Sequence, residues 1–419
     1  MARSNLDIRS TPLPGGSRLL INADHRLPIC TVMVWFEVGS RTEKNGQSGI
    51  SHYLEHCYSM GTHRFKPREN SWIIQRLGGT KNAFTSHDYT AYYSQVPLSA
   101  MEMVIDMEAD RFYNLALPEN MVTSEKEVIK EEKRLRYEDV PMGKLYEHVL
   151  DLAYENHPYK NLVIGSWDDL DRIGRDDLMT YYRQQYVSNK MTLVISGDGD
   201  PDAWQVMAER YFGTPKEGPS LSTEVRVTEP ARSLARRRVV NKEVALPAIH
   251  IAFSAVHVDH PDFAALSFLS GVLATGKSSR LYRHLVYDPQ KATSVSCSMD
   301  EKKEDGLFHV TAQARPEIAI EELEQALWNE MNKLKTELIT LREWERMRNI
   351  IRSEWAQSLE TTLGRAQWIG RYTTISGRYH NGQLDALQND FMCVSPEDIM
   401  RVAQSYLIPE KSNTVILKP

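Results

Sequence analysis

The chain has 419 residues, too many for one ordinary core, so two or three domains are expected. Its 41% apolar and 25% charged residues are the composition of a soluble globular protein. A net charge of −6 and a pI near 6.1 count against nucleic acid as a partner, and no basic block offsets them. The densest cationic run, Arg236-Arg237-Arg238, reads as the solvated start of a strand. Four cysteines, Cys30, Cys57, Cys297 and Cys393, are scattered without a C-x-x-C pair, which is no disulfide framework and suits a reducing compartment. No apolar run reaches the roughly 18 residues of a membrane span. The first residues lack the apolar segment of a signal peptide, so a cytoplasmic location is expected. A chain whose leader had been removed would read the same, which leaves the periplasm as the alternative.

In chain order, 18–22 and 30–38 read as two strands around a turn, the second β-branched and aromatic with no helical period. Gly46 and Gly49 break the chain. Ile50, Tyr53, Leu54 and Cys57 then recur at helical spacing, so this helix has a buried side. A second helical pattern at 71–77 stops at Gly78-Gly79, and 82–94 reads as a strand. Helical runs occupy about 99–113, 119–138 and 175–186, before the apolar strand 191–195. Periodicity vanishes from 214 to 234, a stretch with a linker's composition. The expected domains are therefore 1–213 and 235–419. Beyond the linker come a strand at 248–253, a helix at 262–273, a long amphipathic helix at 340–360, a helix near 396–407 and a final strand at 413–417.

The chemistry concentrates in the helix after Gly49. His52 and His56 are four residues apart, one turn apart on one face, where two imidazoles can hold one metal ion. The order H-x-x-E-H inverts the commoner H-E-x-x-H zinc helix and places Glu55 as a general base. Zinc accepts imidazole and carboxylate ligands, and a catalytic zinc keeps one position open. Cys57 lies about 100° around the helix from His56, so core packing suits it better than ligation. The bland alternative is a surface helix with two ordinary histidines. A third ligand must come from elsewhere, and spacing alone cannot choose it. Glu125 and Glu132, seven apart and so on one helix face, lie in the richest carboxylate run, although such a run is usually a solvated face.

The two halves echo each other. Asp176 to Ile195 is matched by Glu397 to Leu417 with a one-residue slip, and His52 to His56 can be laid over Ser267 to Gly271. In that second copy the apolar positions survive and the chemical ones become Ser or Gly. The fold class is therefore α+β: two homologous domains related by internal duplication, each a mainly antiparallel sheet packed with helices, with only the first armed.

The sequence resembles the inverzincin metallopeptidases typified by pitrilysin, insulysin and the mitochondrial processing peptidase, over essentially its whole length. The residues that carry the resemblance are Val38 to Glu43, His52 to His56, Met60-Gly61-Thr62, Asn82 to Thr85, Thr90 to Tyr93, Glu125 to Glu132, and Ser278 to Tyr282. The resemblance implies Glu132 as third zinc ligand and Glu125 as the group that orients the site. It also implies one zinc per chain, with Glu55 activating the attacking water and handing its proton to the leaving amine. Asn82, Ala83, Phe84 and Thr85 become a sheet edge that receives substrate as an added strand. His63 and His87 are expected to face the surface or the substrate and not to ligate.

One departure matters. Family members that work as single chains carry an Arg and a Tyr seven apart in the second half, which bind substrate and stabilise the oxyanion. Those positions fall here at Val286 and Thr293, with Arg280, Tyr282, Arg283 and Tyr287 nearby. The expectation is an endopeptidase subunit for short or unfolded polypeptides that heterodimerises with a homologous chain carrying the Arg/Tyr pair; a homodimer is the second choice. Two other classes compete: a structural homologue with no catalysis, which needs none of the four site residues, and a metal-free peptide-binding module using the edge strand.

Overall fold

The computed structural model describes residues 6–218, 227, 229, 230, 234–242, 244–288, 290–378 and 381–419, so the stretch 214–234 lies partly outside it. The elements in order are β1 (Arg9–Pro12), β2 (Arg18–Ala23), β3 (Ile29–Phe36), α1 (Ile50–Cys57), α2 (Glu69–Arg76), β4 (Thr80–Thr85), β5 (Thr90–Pro97), α3 (Met101–Asn114), α4 (Glu119–Lys133) and α5 (Pro141–Ala153). Then follow α6 (Trp167–Arg172), α7 (Arg175–Gln185), β6 (Met191–Gly197), α8 (Pro201–Phe212), β7 (Arg236–Asn241), β8 (Ala248–Ser254), α9 (Phe263–Ala274), β9 (Ala292–Met299) and β10 (Leu307–Ala314). The chain ends with α10 (Ile320–Thr336), α11 (Leu341–Ser358), α12 (Thr362–Ser376), α13 (Asn381–Cys393), α14 (Pro396–Tyr406) and β11 (Ser412–Lys418).

Two sheets carry the duplication. The first runs β1-β2-β6-β3-β5-β4 and the second β7-β11-β8-β10-β9. Leaving out β1, the sheets share one plan, with a parallel pair (β2 with β6, β7 with β11) and antiparallel pairing thereafter. Helix α1 follows β3, and α9 follows the equivalent β8. The armed and unarmed copies therefore occupy the same place in each plan. In the unarmed copy Gly271 approaches Met347 of α11 so closely that a Cβ would lie 2.1 Å from its Cε. Any side chain there would first have to displace the flexible end of Met347.

Three expectations change in detail. The strands at 18–22 and 30–38 do not pair with each other, because β6 inserts between them. The stretch 82–94 is not one strand: β4 and β5 form a hairpin whose turn is closed by Ser86 N–H donating to Tyr89 O (2.8 Å) and Asp88 N–H donating to Ser86 Oγ (3.1 Å). The helix expected over 119–138 is α-helical only to Lys133 and continues as a π-helical turn over Arg134–Glu138. Arg236 to Arg238 do begin a strand, but one laced with ion pairs to Glu155, Glu324 and Asp151.

A cut at 214–234 separates the sheets, yet the compact units exchange helices. One unit comprises Met1–Glu132, Asn161–Arg226 and Trp355–Ala386; the other comprises Lys133–Lys160, Val227–Glu354 and Leu387–Pro419. In the first, α12 packs on β3 and β6, tied by Thr31 Oγ1 to Thr362 Oγ1 (2.9 Å) and by Gln95 Nε2 donating to the same oxygen (3.0 Å). Strand β3 is therefore covered on both faces, which explains its unbroken apolar run. In the second unit α5 packs on β8 and β11, bringing Tyr146 over a buried pair, His250 and His309, joined Nε2 to Nδ1 at 2.9 Å. His309 Nε2 lies 3.3 Å from Asp300, and Asp300 lies 2.8 Å from Lys302, so these buried polar groups cluster together. All four cysteines are free thiols, Cys30 and Cys57 fully buried. Among the described residues no helix is long and apolar enough to cross a membrane.

Candidate metal centre

Helix α1 is short, and its start is built with care. Gly49 precedes it at φ 90°, a left-handed conformation that favours glycine, and a Cβ there would meet Ile164 O at 2.5 Å. The first turn of a helix leaves backbone N–H groups without helical partners. Glu43 meets two such donors here, its oxygens accepting from Gly49 N–H (2.8 Å) and Ser51 N–H (2.9 Å). A carboxylate at this end also matches the helix dipole. Ser51 Oγ bonds Tyr181 Oη (2.8 Å), and Tyr53 Oη donates to Val122 O (2.7 Å), which fixes α1 against α7 and the start of α4. Behind α1, Tyr58, Tyr92, Tyr186 and Phe36 form a buried aromatic cluster, with Tyr92 Oη and Tyr186 Oη 2.9 Å apart. The histidines thus stand on a rigid support.

Helix α4 turns one stripe inward: Val122, Glu125, Ile129 and Lys133 are buried, and Glu132 is partly buried. Two carboxylates on the inward stripe need partners. Glu132 Oε2 lies 3.3 Å from His56 Nε2 and 3.8 Å from His52 Nε2. One donor atom from each of these three residues falls within 4.8 Å of the others, and no other such group of three occurs among the described residues. Ligands at about 2.0–2.2 Å around a tetrahedral zinc stand roughly 3.3 Å apart, so this His, His, Glu donor set fits the ion with small side-chain adjustments. Glu125 Oε1 accepts from His56 Nδ1 at 2.9 Å, which leaves Nε2 as the ligating nitrogen. Arg68 Nη2 approaches the other oxygen of Glu125 at 3.5 Å. Burial pulls His56 towards the neutral form, but its hydrogen bonds to Glu125 and Glu132 win and push it up to about 9. Cys57 faces the core, where burial raises its thiol well above the usual range, and it contributes no ligand.

Glu55, between the ligands in sequence, accepts a hydrogen bond from Thr85 Oγ1 at 3.0 Å. Thr85 ends β4, and among the described residues β4 is the terminal strand of its sheet, paired only with β5. Asn82 is exposed, and Ala83, Phe84 and Thr85 are half-buried. Phe84 packs edge-on against Trp35 (5.6 Å between ring centres). His63 is exposed, but His87 is 8% exposed and sits in the β4–β5 turn, so it is no surface residue. The turn is anchored by Arg41, paired with the buried Asp88 at 2.9 Å. Arg41 and Glu43 fall inside the run that carries the resemblance but have no local signal of their roles, and Arg68 lies outside every motif. No local pattern could have found Arg68, since its only contact of interest is with Glu125.

In the second unit, Val286 lies in a π-helical turn over Tyr282–Tyr287, and Thr293 lies on β9 with its hydroxyl bonded to Gln313. Arg280 is committed elsewhere, gripping Glu343 through Nε (2.6 Å) and Nη2 (3.1 Å). Tyr287 is 70% exposed.

A duplicated α+β sheet plan, with an inverted H-x-x-E-H helix in the first copy and a glutamate closing on it, defines the inverzincin class. The chain belongs to the peptidase M16 family. The model described as insulinase (peptidase family M16) matches residues 18–166, and the peptidase M16 inactive domain matches residues 172–351. The chain is similar to the zinc protease PqqE of Helicobacter pylori, 28% identical over all of this chain and 91% of that protein. It is 26% identical to the uncharacterized zinc protease YmxG of Bacillus subtilis over 96% of each chain. A probable mitochondrial-processing peptidase subunit beta of Arabidopsis thaliana is 26% identical over 89% of this chain and 71% of its own length. Among solved structures, a protease from Helicobacter pylori superposes with a TM-score of 0.94 at 28% identity, covering 98% of this chain and 99% of that one. A Pseudomonas fluorescens protein described as a peptidase M16 inactive domain shares the fold, with a TM-score of 0.88 at 16% identity.

Proposed function

We propose that this chain is the zinc-bearing subunit of a metalloendopeptidase that hydrolyses short or unfolded polypeptides. The observation that carries the reading is the convergence of His52, His56 and Glu132 on one metal-sized space, with the carboxylate of Glu55 near enough to act electrostatically on His56. Bound there, zinc supplies Lewis acidity and a water that ionises near neutral pH. The chain's own groups do the rest. Glu125 holds His56 by its Nδ1, and Glu55 takes a proton from the attacking water and delivers it to the leaving amine. Strand β4 offers unpaired main-chain groups to an extended substrate, which gives affinity with little demand on sequence. The zinc-protease names of the relatives support this reading.

The reading includes a partner. Neither Val286 nor Thr293 can donate to an oxyanion as an Arg/Tyr pair would, and Arg280 is already bound to Glu343. A homologous subunit carrying that pair supplies the donors. The relatives named as processing-peptidase beta subunits are in keeping with this. The test is peptide cleavage by the purified chain with and without such a partner. Weak cleavage alone and strong cleavage by the pair, lost on Glu55→Gln, is the expected result. Strong cleavage by the chain alone, also lost on Glu55→Gln, would remove the partner and keep the chemistry. Cleavage that survives Glu55→Gln would remove the base.

A structural role without catalysis, or metal-free peptide binding at β4, remains the alternative reading, and metal content separates them.

A further inference from the structure

The side chain of Thr85 meets two polar groups, Glu55 and Thr90. Its hydroxyl donates to Glu55 Oε2 at 3.0 Å, because a carboxylate offers only acceptors. Thr90 Oγ1 sits 3.5 Å behind it and itself donates to Val38 O at 2.8 Å, so the hydroxyl of Thr85 is backed by a buried, satisfied group. A glutamate side chain has three rotatable bonds, and one firm hydrogen bond removes much of that freedom. The main chain of the same residue is the end of the terminal strand β4.

We propose that Thr85 is the positioning residue for the general base. Through its hydroxyl it holds one carboxylate oxygen of Glu55 in a fixed direction. Through its backbone it ties that orientation to the strand on which the substrate lies. The register of a bound peptide and the direction of the base are then set by one residue. This inference rests on the peptidase reading above, in which Glu55 takes the proton and β4 takes the peptide.

Thr85→Val keeps the shape and the backbone and removes only the hydroxyl; Thr85→Ser keeps the hydroxyl. In the active assembly, Thr85→Val is expected to lower kcat roughly tenfold with KM within about twofold, the size of one lost charge-assisted hydrogen bond, and Thr85→Ser to recover most of it. A crystal structure of each variant chain gives a readout independent of turnover. Glu55 is expected in its present rotamer in the Ser variant and displaced in the Val variant. Glu55→Gln, assayed beside them, separates the two levels of the argument. If Glu55→Gln abolishes turnover while Thr85→Val matches the wild type in kcat and leaves Glu55 in place, the positioning role is wrong and the base survives. If Glu55→Gln remains active, the base assignment fails first. A Thr85→Val variant altered in KM alone would make Thr85 a substrate contact and overturn the proposal.

Discussion

Replacing Glu125 by glutamine tests how the metal centre is organised, because it changes an atom that does not touch the metal. Glu125 is 7% exposed, and its Oε1 accepts from His56 Nδ1 at 2.9 Å. That bond selects the tautomer in which Nε2 faces Glu132 at 3.3 Å, and it raises the basicity of the ring. Glutamine keeps the size and removes the charge; its amide must rotate to present oxygen, and it then accepts a weaker bond. Partners of this kind are worth about 10- to 100-fold in metal affinity, or roughly 1.4–2.7 kcal/mol. Arg68, 3.5 Å from the same carboxylate, loses its counter-ion as well, but this contact is solvent-exposed and contributes little. The assay is competition for zinc between the chain and a chelator of known affinity, with thermal melting as a check on folding. Zinc affinity should fall by that factor in Glu125→Gln with the metal-free melting point nearly unchanged, and should hold in Glu55→Gln. Equal affinity in Glu125→Gln and the wild type would refute the reasoning.

Two further perturbations probe the frame around the site. Gly49→Ala forces a Cβ to within 2.5 Å of Ile164 O at φ 90°, and should cost about 2–4 kcal/mol in urea unfolding while weakening zinc retention; a loss below about 0.5 kcal/mol would mean α1 starts differently. Glu343 tests a pH window. Burial raises its carboxyl, but Arg280 and Thr340 outweigh burial and bring it down to about 2. A carboxyl lowered on folding stabilises above its unfolded value, near 4.5, and loses that contribution as pH falls towards 2. Discounted for partial exposure, Glu343→Gln should cost about 2 kcal/mol at pH 7, and the gap should shrink by pH 3; a gap independent of pH would contradict the ion pair.

The legible parts of the chain were those whose signals are local. Helix α1 announced itself by Ile50, Tyr53, Leu54 and Cys57 at helical spacing, and its two histidines by their separation of one turn. The resemblance then singled out Glu132, which structure places against them. The turn inside 82–94 was hidden because Ser86-His87-Asp88-Tyr89 contains neither glycine nor proline, and one of its anchors, Arg41, lies far back in the chain. The insertion of β6 between β2 and β3 was hidden because a parallel partner from residue 191 onward leaves no trace in residues 18–36. The exchange of α5 and α12 between units was beyond any periodicity, since a helix pattern says which face is buried and not against what. Thr85 was read as part of a substrate edge, and its hydroxyl's bond to Glu55, thirty residues earlier, depends on the fold bringing β4 beside α1.

Metal analysis of the purified chain tests the central claim most directly. After zinc loading and removal of excess, the wild type should retain about one zinc per chain and His56→Ala almost none, since two remaining ligands cannot hold the ion against dilution. A wild-type chain that folds normally and retains no zinc would contradict the account, and would leave the residues of α1 and α4 a structural role or β4 a peptide-binding one.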